Sequence, residues 1–187
     1  MINLPNILSM TRILLVPLLM VVLLTKFEGR EIIGLDNEFI ALIVFLVAAL
    51  TDFLDGFIAR RRKQVTRLGQ LLDPAADKIL TSSAFIALVE LGLMPAWMVV
   101  VIVGREFAVS ALRSIAALEG IAISAVMAGK VKTTLQIITI AVLIVSAPLP
   151  VLQNLAPALR WLTVTITLYS GVEYFFRFGR LVVRGNV

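Results

Sequence analysis

Four aspartates stand in stretches that are otherwise strongly apolar: Asp52 and Asp55, then Asp73 and Asp77. On helices, spacings of three and four residues put each pair on one face, and the short basic segment between the pairs lets those faces converge as a hairpin. Four carboxylates in one pocket repel one another unless protons or cations bridge them. The chain has no His and no Cys, which excludes disulfides, thiolate nucleophiles, His-ligated zinc and every Ser-His or Cys-His catalytic arrangement. Oxygen-only ligands favour a hard ion such as Mg²⁺ or Mn²⁺, and four acids can hold two of them. The competing explanation is that the acids merely neutralise the neighbouring Arg60, Arg61 and Arg62, or that Asp73 caps a helix ahead of Pro74. Two pairs together weigh against it, because a charge at the centre of a span costs roughly 3 kcal/mol or more and persists where it faces a polar cavity.

The elements that must position these acids follow from composition. Of 187 residues, 60% are hydrophobic and 16% charged, and the mean hydropathy is +1.02. Soluble domains are nearer 45–50% apolar, with about a quarter of their residues charged. The chain therefore reads as an all-α, polytopic integral membrane protein. At about 20 residues per span, its length accommodates six transmembrane helices in one bundle and no soluble domain. Residues 1–187 form a single membrane-embedded domain in this reading, without internal repeats or linkers. The net charge of +5 is expected to mark orientation in the bilayer, since no nucleic-acid motif accompanies it.

Span one is expected within residues 1–25, where Arg12 is the only charge and Pro17 the only interruption after Ile13. No basic segment precedes it and no small-residue cleavage site follows, so it reads as a retained helix and not a removed leader. Span two begins near Phe39 and runs through Asp52 and Asp55 to the basic cluster. Span three covers about Leu68 to Gly92, and Met94-Pro95 turns the chain into span four, ending near Gly120. Span five covers about Lys132 to Ala147 and stops at Pro148 and Pro150. Span six covers about Pro157 to Phe178. The connection 60–67 carries five basic residues and no acid, whereas 26–38 carries two basic residues against four acids. Short basic connections stay inside, so both termini and the aspartate hairpin are predicted to face the cytoplasm.

Small residues accompany the acids. Gly56 inside a helix costs about 0.8–1 kcal/mol relative to Ala, which suggests close approach of a ligand or a neighbouring helix. The assembled pattern is Asp52-x-x-Asp55-Gly56-x-x-Ala59-Arg60, eight residues, then Gly69-x-x-x-Asp73-x-x-x-Asp77. It resembles the signature of the CDP-alcohol phosphotransferase family, with all eight fixed positions filled. The resemblance implies that family's six-helix fold, a homodimer, and a two-metal site opening toward the cytoplasmic leaflet. It also implies the reaction, in which an alcohol attacks the β-phosphate of a CDP-linked substrate and releases CMP. By the same resemblance Asp52, Asp55, Asp73 and Asp77 hold the metals, Asp77 is the catalytic base, and Gly56, Ala59, Arg60, Thr66 and Gly69 contact the CDP moiety.

The acceptor must be recognised by other polar residues. Arg105 and Arg113 lie in span four, Lys130 and Lys132 enter span five, and Lys78 follows Asp77 directly. Such cations fit an anionic acceptor, most simply a phosphate. The alternative is that Arg105 pairs with Glu106 or a motif aspartate and that the lysines only mark the inner face. The strings Arg105-Glu106-Phe107, Leu112-Arg113 and Gly129-Lys130-Val131-Lys132-Thr133, with Pro5-Asn6 to Arg12, resemble the branch of the family that joins CDP-diacylglycerol to glycerol 3-phosphate in the bacterial cell membrane. Inositol phosphate, serine and phosphatidylglycerol are the acceptors of other branches. Membrane prenyltransferases also use paired Asp motifs, but far apart on a larger bundle, and a cation transporter should place its acids near the midplane between repeats.

Overall fold

The computed structural model describes the backbone over residues 4–25, 31–32, 35–62, 67–118 and 127–185, and side chains over 10–25, 36–51, 75–118, 127 and 129–180. In chain order the elements are α1 (Leu4–Leu24), β1 (Glu31–Ile32), β2 (Leu35–Asp36), α2 (Asn37–Arg62), α3 (Arg67–Glu90), α4 (Ala96–Leu118), α5 (Met127–Ile144), α6 (Pro150–Gln153) and α7 (Ala156–Gly185). Each of the six long helices coincides with one expected apolar segment. Their ends differ by a few residues: α5 starts earlier than Lys132 and ends at Ile144, and α7 runs on past Phe178.

Local chemistry explains several of these ends. After α3 the chain turns at Gly92, whose φ of 71° is a left-handed conformation that costs glycine little. Gly92 N–H donates to the Val89 carbonyl at 2.9 Å and Leu93 N–H to the Leu88 carbonyl at 2.8 Å, so the orphan carbonyls of the last helical turn are satisfied in a Schellman cap. Pro95 then precedes α4. The short α6 has Pro150 at its first turn, where a missing N–H does no harm. Pro17 lies inside α1 without ending it.

Helix α1 packs on α2 and α3, and α4 and α5 pack on α7, while contacts of α5 with α2 and α3 and of α3 with α4 join the two groups. Phe45, Leu80, Phe85, Leu88, Ile102, Ile140 and Leu143 form the common core. Ala41, Ala48, Ala76, Ala84 and Ala87 are fully buried, and small side chains of this kind let helix backbones approach closely, the usual means of packing between membrane helices.

Two findings bear on these expectations. The 26–38 connection is not simply a loop: β1 and β2 pair antiparallel, with Glu31 opposite Asp36 and Ile32 opposite Leu35. Strands of two residues show no alternation, so nothing in the sequence announces them. Second, among the described residues no helix is long and apolar enough to cross a membrane. In α4 the apolar run is broken by Arg105, Glu106 and Arg113, and in α7 by Arg160 and Glu173. The six expected spans are thus found as six long helices, not as six unbroken apolar ones.

Candidate active site

The charges that interrupt α4 lie at i, i+1 and i+8, which turns Arg105 and Arg113 toward one side of that helix. Facing them, α5 brings Lys130 and Lys132, α3 brings Asp77 and Lys78, and α7 brings Ser170 and Tyr174. Together with Glu106 these side chains line one cavity of about 560 Å³. Among the described residues five cations (Lys78, Arg105, Arg113, Lys130, Lys132) and two carboxylates (Asp77, Glu106) border it, so this part of the lining suits an anion.

Glu106 organises the positive side. Its Oε1 accepts from Lys132 Nζ in a close ion pair and from Gln136 Nε2 at 3.4 Å, and Arg105 Nη1 stands 3.6 Å away. Lys132 is 5% exposed, and a cation so enclosed requires a paired, hydrogen-bonded anion. The Arg113 guanidinium carbon lies 5.9 Å from the centroid of the Tyr174 ring, within cation–π range. Gly171 leaves room for the stem of Arg105: a Cβ there would stand 3.1 Å from Arg105 Cγ. Thr81 Oγ1 donates to the Asp77 carbonyl at 3.0 Å one turn on, and Ser110 Oγ to the Glu106 carbonyl at 2.8 Å.

Of the residues singled out from the sequence, Asp77, Arg105, Arg113, Lys130 and Lys132 come together around this cavity. The alternative pairing of Arg105 with Glu106 is also present, but Glu106 is shared and its closer partner is Lys132. Asp52, Asp55, Gly56, Ala59 and Arg60 belong to α2, and Gly69 and Asp73 to α3, but their side chains lie outside the described residues, as does all of Thr66. Among the described residues no group of three acidic side chains forms a metal site.

Sequence reasoning missed Gln136, Ser170 and Tyr174, and saw Glu106 only as a possible neighbour of Arg105. A signal was present in the spacing. Lys132, Gln136 and Thr139 recur at four and three residues along α5, and Thr163, Thr167, Ser170 and Tyr174 at four, three and four along α7; all are buried. These are two polar stripes of helical period in apolar segments, and a 2.7 Å hydrogen bond between the Thr139 and Thr163 hydroxyls joins them.

A sequence model of the CDP-alcohol phosphatidyltransferase family matches residues 2–169. The chain belongs to that family. It is similar to the CDP-diacylglycerol--glycerol-3-phosphate 3-phosphatidyltransferase of Bacillus subtilis (strain 168), with 42% identity over 94% of each chain. Proteins of the same name in Salmonella choleraesuis, 34% identical over 92% of each chain, and in Rickettsia bellii, 31% identical over 92% of this chain and 93% of that one, are further relatives. As a CDP-alcohol phosphatidyltransferase, this chain has the last aspartate of its motif, Asp77, opening directly onto the cation-lined cavity.

Proposed function

We propose that the protein transfers the phosphatidyl group of CDP-diacylglycerol to glycerol 3-phosphate, giving phosphatidylglycerophosphate and CMP. The observation that carries this is that Asp77 lines the same cavity as Arg105, Arg113 and Lys130, in a chain whose relatives bear the name of that activity. Arg105, Arg113 and Lys130 bind the acceptor's phosphate by charge-assisted hydrogen bonds, with Arg supplying planar forks and Lys a point charge. Lys132, held by Glu106, adds a further cation to the lining. The acceptor's free primary hydroxyl then lies toward Asp77, which takes its proton as that alcohol oxygen bonds to the β-phosphorus. The bond from that phosphorus to the CMP oxygen breaks, and CMP leaves with the electron pair.

Asp52, Asp55, Asp73 and Asp77 would hold two ions of Mg²⁺ or Mn²⁺. The donor set fits, being carboxylate oxygen alone in a chain without His or Cys, and such ions supply charge neutralisation for the pyrophosphate and its leaving oxygen. Gly56, Ala59, Arg60, Thr66 and Gly69 bind the CDP moiety, where the small residues admit it and Arg60 offsets its charge.

The protein works in the lipid bilayer, in a bacterial cell membrane, as a homodimer, with the site and both termini on the cytoplasmic side. Exposed apolar side chains support embedding: Leu14, Val100 and Phe176 are 73%, 69% and 65% exposed. The sidedness rests on the basic 60–67 and acidic 26–38 connections. Purified protein given CDP-diacylglycerol and a panel of glycerol 3-phosphate, glycerol, serine, inositol and inositol phosphate tests the proposal through CMP release. Glycerol 3-phosphate should be much the best acceptor, because the others leave cations unpaired or do not fit between them and Asp77. Equal turnover with serine or inositol would refute the acceptor and leave the family reaction standing.

A further inference from the structure

Tyr174 on α7 is 3% exposed and lines the cavity, yet its hydroxyl has no hydrogen-bond partner among the described residues. Buried hydroxyls are almost always paired, and leaving one unpaired is costly in surroundings that exclude water. The neighbouring arginines cannot take its proton. Arg113 lies over the ring face, and guanidinium groups only donate, so the phenol cannot donate to Arg105 or Arg113. Arg105 Nε is likewise buried without a partner. Tyr174 and Arg105 both line this cavity, and each carries an unpaired donor of the kind that an acceptor-rich group satisfies.

We propose that the Tyr174 hydroxyl donates a hydrogen bond to the acceptor's phosphate, completing a site whose charge comes from Arg105, Arg113 and Lys130. This rests on the glycerol 3-phosphate assignment above. The ring serves twice, as a platform under Arg113 and as the arm carrying the hydroxyl. Because the phenol is neutral, it adds direction without adding to the repulsion among the cations. The bond also favours an oxygen acceptor at a defined point, so it discriminates a phosphate from a smaller or spherical anion.

The test is Tyr174→Phe in the full chain, which removes one oxygen and keeps the ring under Arg113. A hydrogen bond to a charged group corresponds to roughly a ten- to hundredfold change in affinity, so the KM for glycerol 3-phosphate should rise by about that factor. The kcat and the KM for CDP-diacylglycerol should stay within about twofold of wild type. Inorganic phosphate competing against glycerol 3-phosphate should lose potency in parallel. The substrate-free protein should melt no lower than wild type, because an unpaired hydroxyl contributes no native bond to lose. An unchanged glycerol 3-phosphate KM, a rise in the CDP-diacylglycerol KM instead, or a phosphate potency that does not move with the KM would overturn the inference. So would a lowered melting temperature with unchanged kinetics, which would mark the hydroxyl as a structural partner. Failure of wild type itself to use glycerol 3-phosphate would refute the acceptor assignment, and needs no variant to detect.

Discussion

Glu106 is predicted to trade stability against affinity for the acceptor. Its carboxylate has a side-chain exposure of 13%, and the Lys132 side chain it holds is 6% exposed, so neither charge is well solvated. Replacing Glu106 by Gln keeps the shape and one oxygen for Lys132 but removes the charge, a loss of about 1.5–3 kcal/mol for a charge-assisted hydrogen bond. At about 2–4 °C per kcal/mol for a chain of this size, melting should fall by roughly 3–12 °C. Among the described residues the cavity lining would change from five cations and two carboxylates to five and one, and its potential for an anion would strengthen. The KM for glycerol 3-phosphate should therefore fall or hold while stability drops. Unfolding in detergent can be followed by the fluorescence of Trp97 and Trp161, whose rings lie 5.6 Å apart at 57° across α4 and α7. The double variant Glu106→Gln with Lys132→Met should recover part of the loss, because both charges of a buried pair are then absent. If Glu106→Gln melts like wild type, or if the double variant is no more stable than the single one, Glu106 does not hold Lys132 as inferred.

The remaining predictions concern the aspartates, the cations and the membrane. Asp52→Asn, Asp73→Asn and Asp77→Asn should each nearly abolish CMP release while the protein still inserts, and EDTA should stop turnover until Mg²⁺ or Mn²⁺ is restored; wild-type activity in Asp52→Asn or Asp73→Asn would defeat the metal assignment. Arg105→Ala, Arg113→Ala and Lys130→Ala should each raise the glycerol 3-phosphate KM by roughly one to two orders of magnitude and leave the CDP-diacylglycerol KM nearly unchanged. Arg105→Ala weakening only the CDP-lipid would move that residue to the donor side. Because the chain has no native Cys, single cysteines at Lys63 and Gly34 can be probed on intact cells with an impermeant thiol reagent. Labelling should occur at Gly34 alone, and labelling at Lys63 would invert the orientation.

The long helices were legible because each is a largely apolar segment, and at α3 the residue that closes the run has a local reason to do so. The turn at Gly92 before Pro95 is the clearest case, since the positive φ observed there is the conformation that a glycine after an apolar run suggests. The β1–β2 pair was not legible, because two residues per strand carry no period. The cavity was half legible for a similar reason. A charge inside an apolar helix is conspicuous, so Asp77, Arg105 and Arg113 declare themselves, whereas the partner of each charge depends on how helices are rotated against one another. Arg105 and Glu106 are adjacent in sequence, but successive side chains on a helix diverge by about 100°. Adjacency therefore says little about pairing, and the carboxylate's nearest cation proves to be Lys132, 26 residues away. Tyr174 shows the same limit from the other side. Nothing in its local sequence marks it, since it lies in an apolar segment ahead of Arg177 and Arg180. Its place in the polar stripe of α7 is what turns the ring inward, under Arg113 and against the cavity. Side-chain type locates the charged half of such a site; the neutral groups that give it direction are found through helical phase.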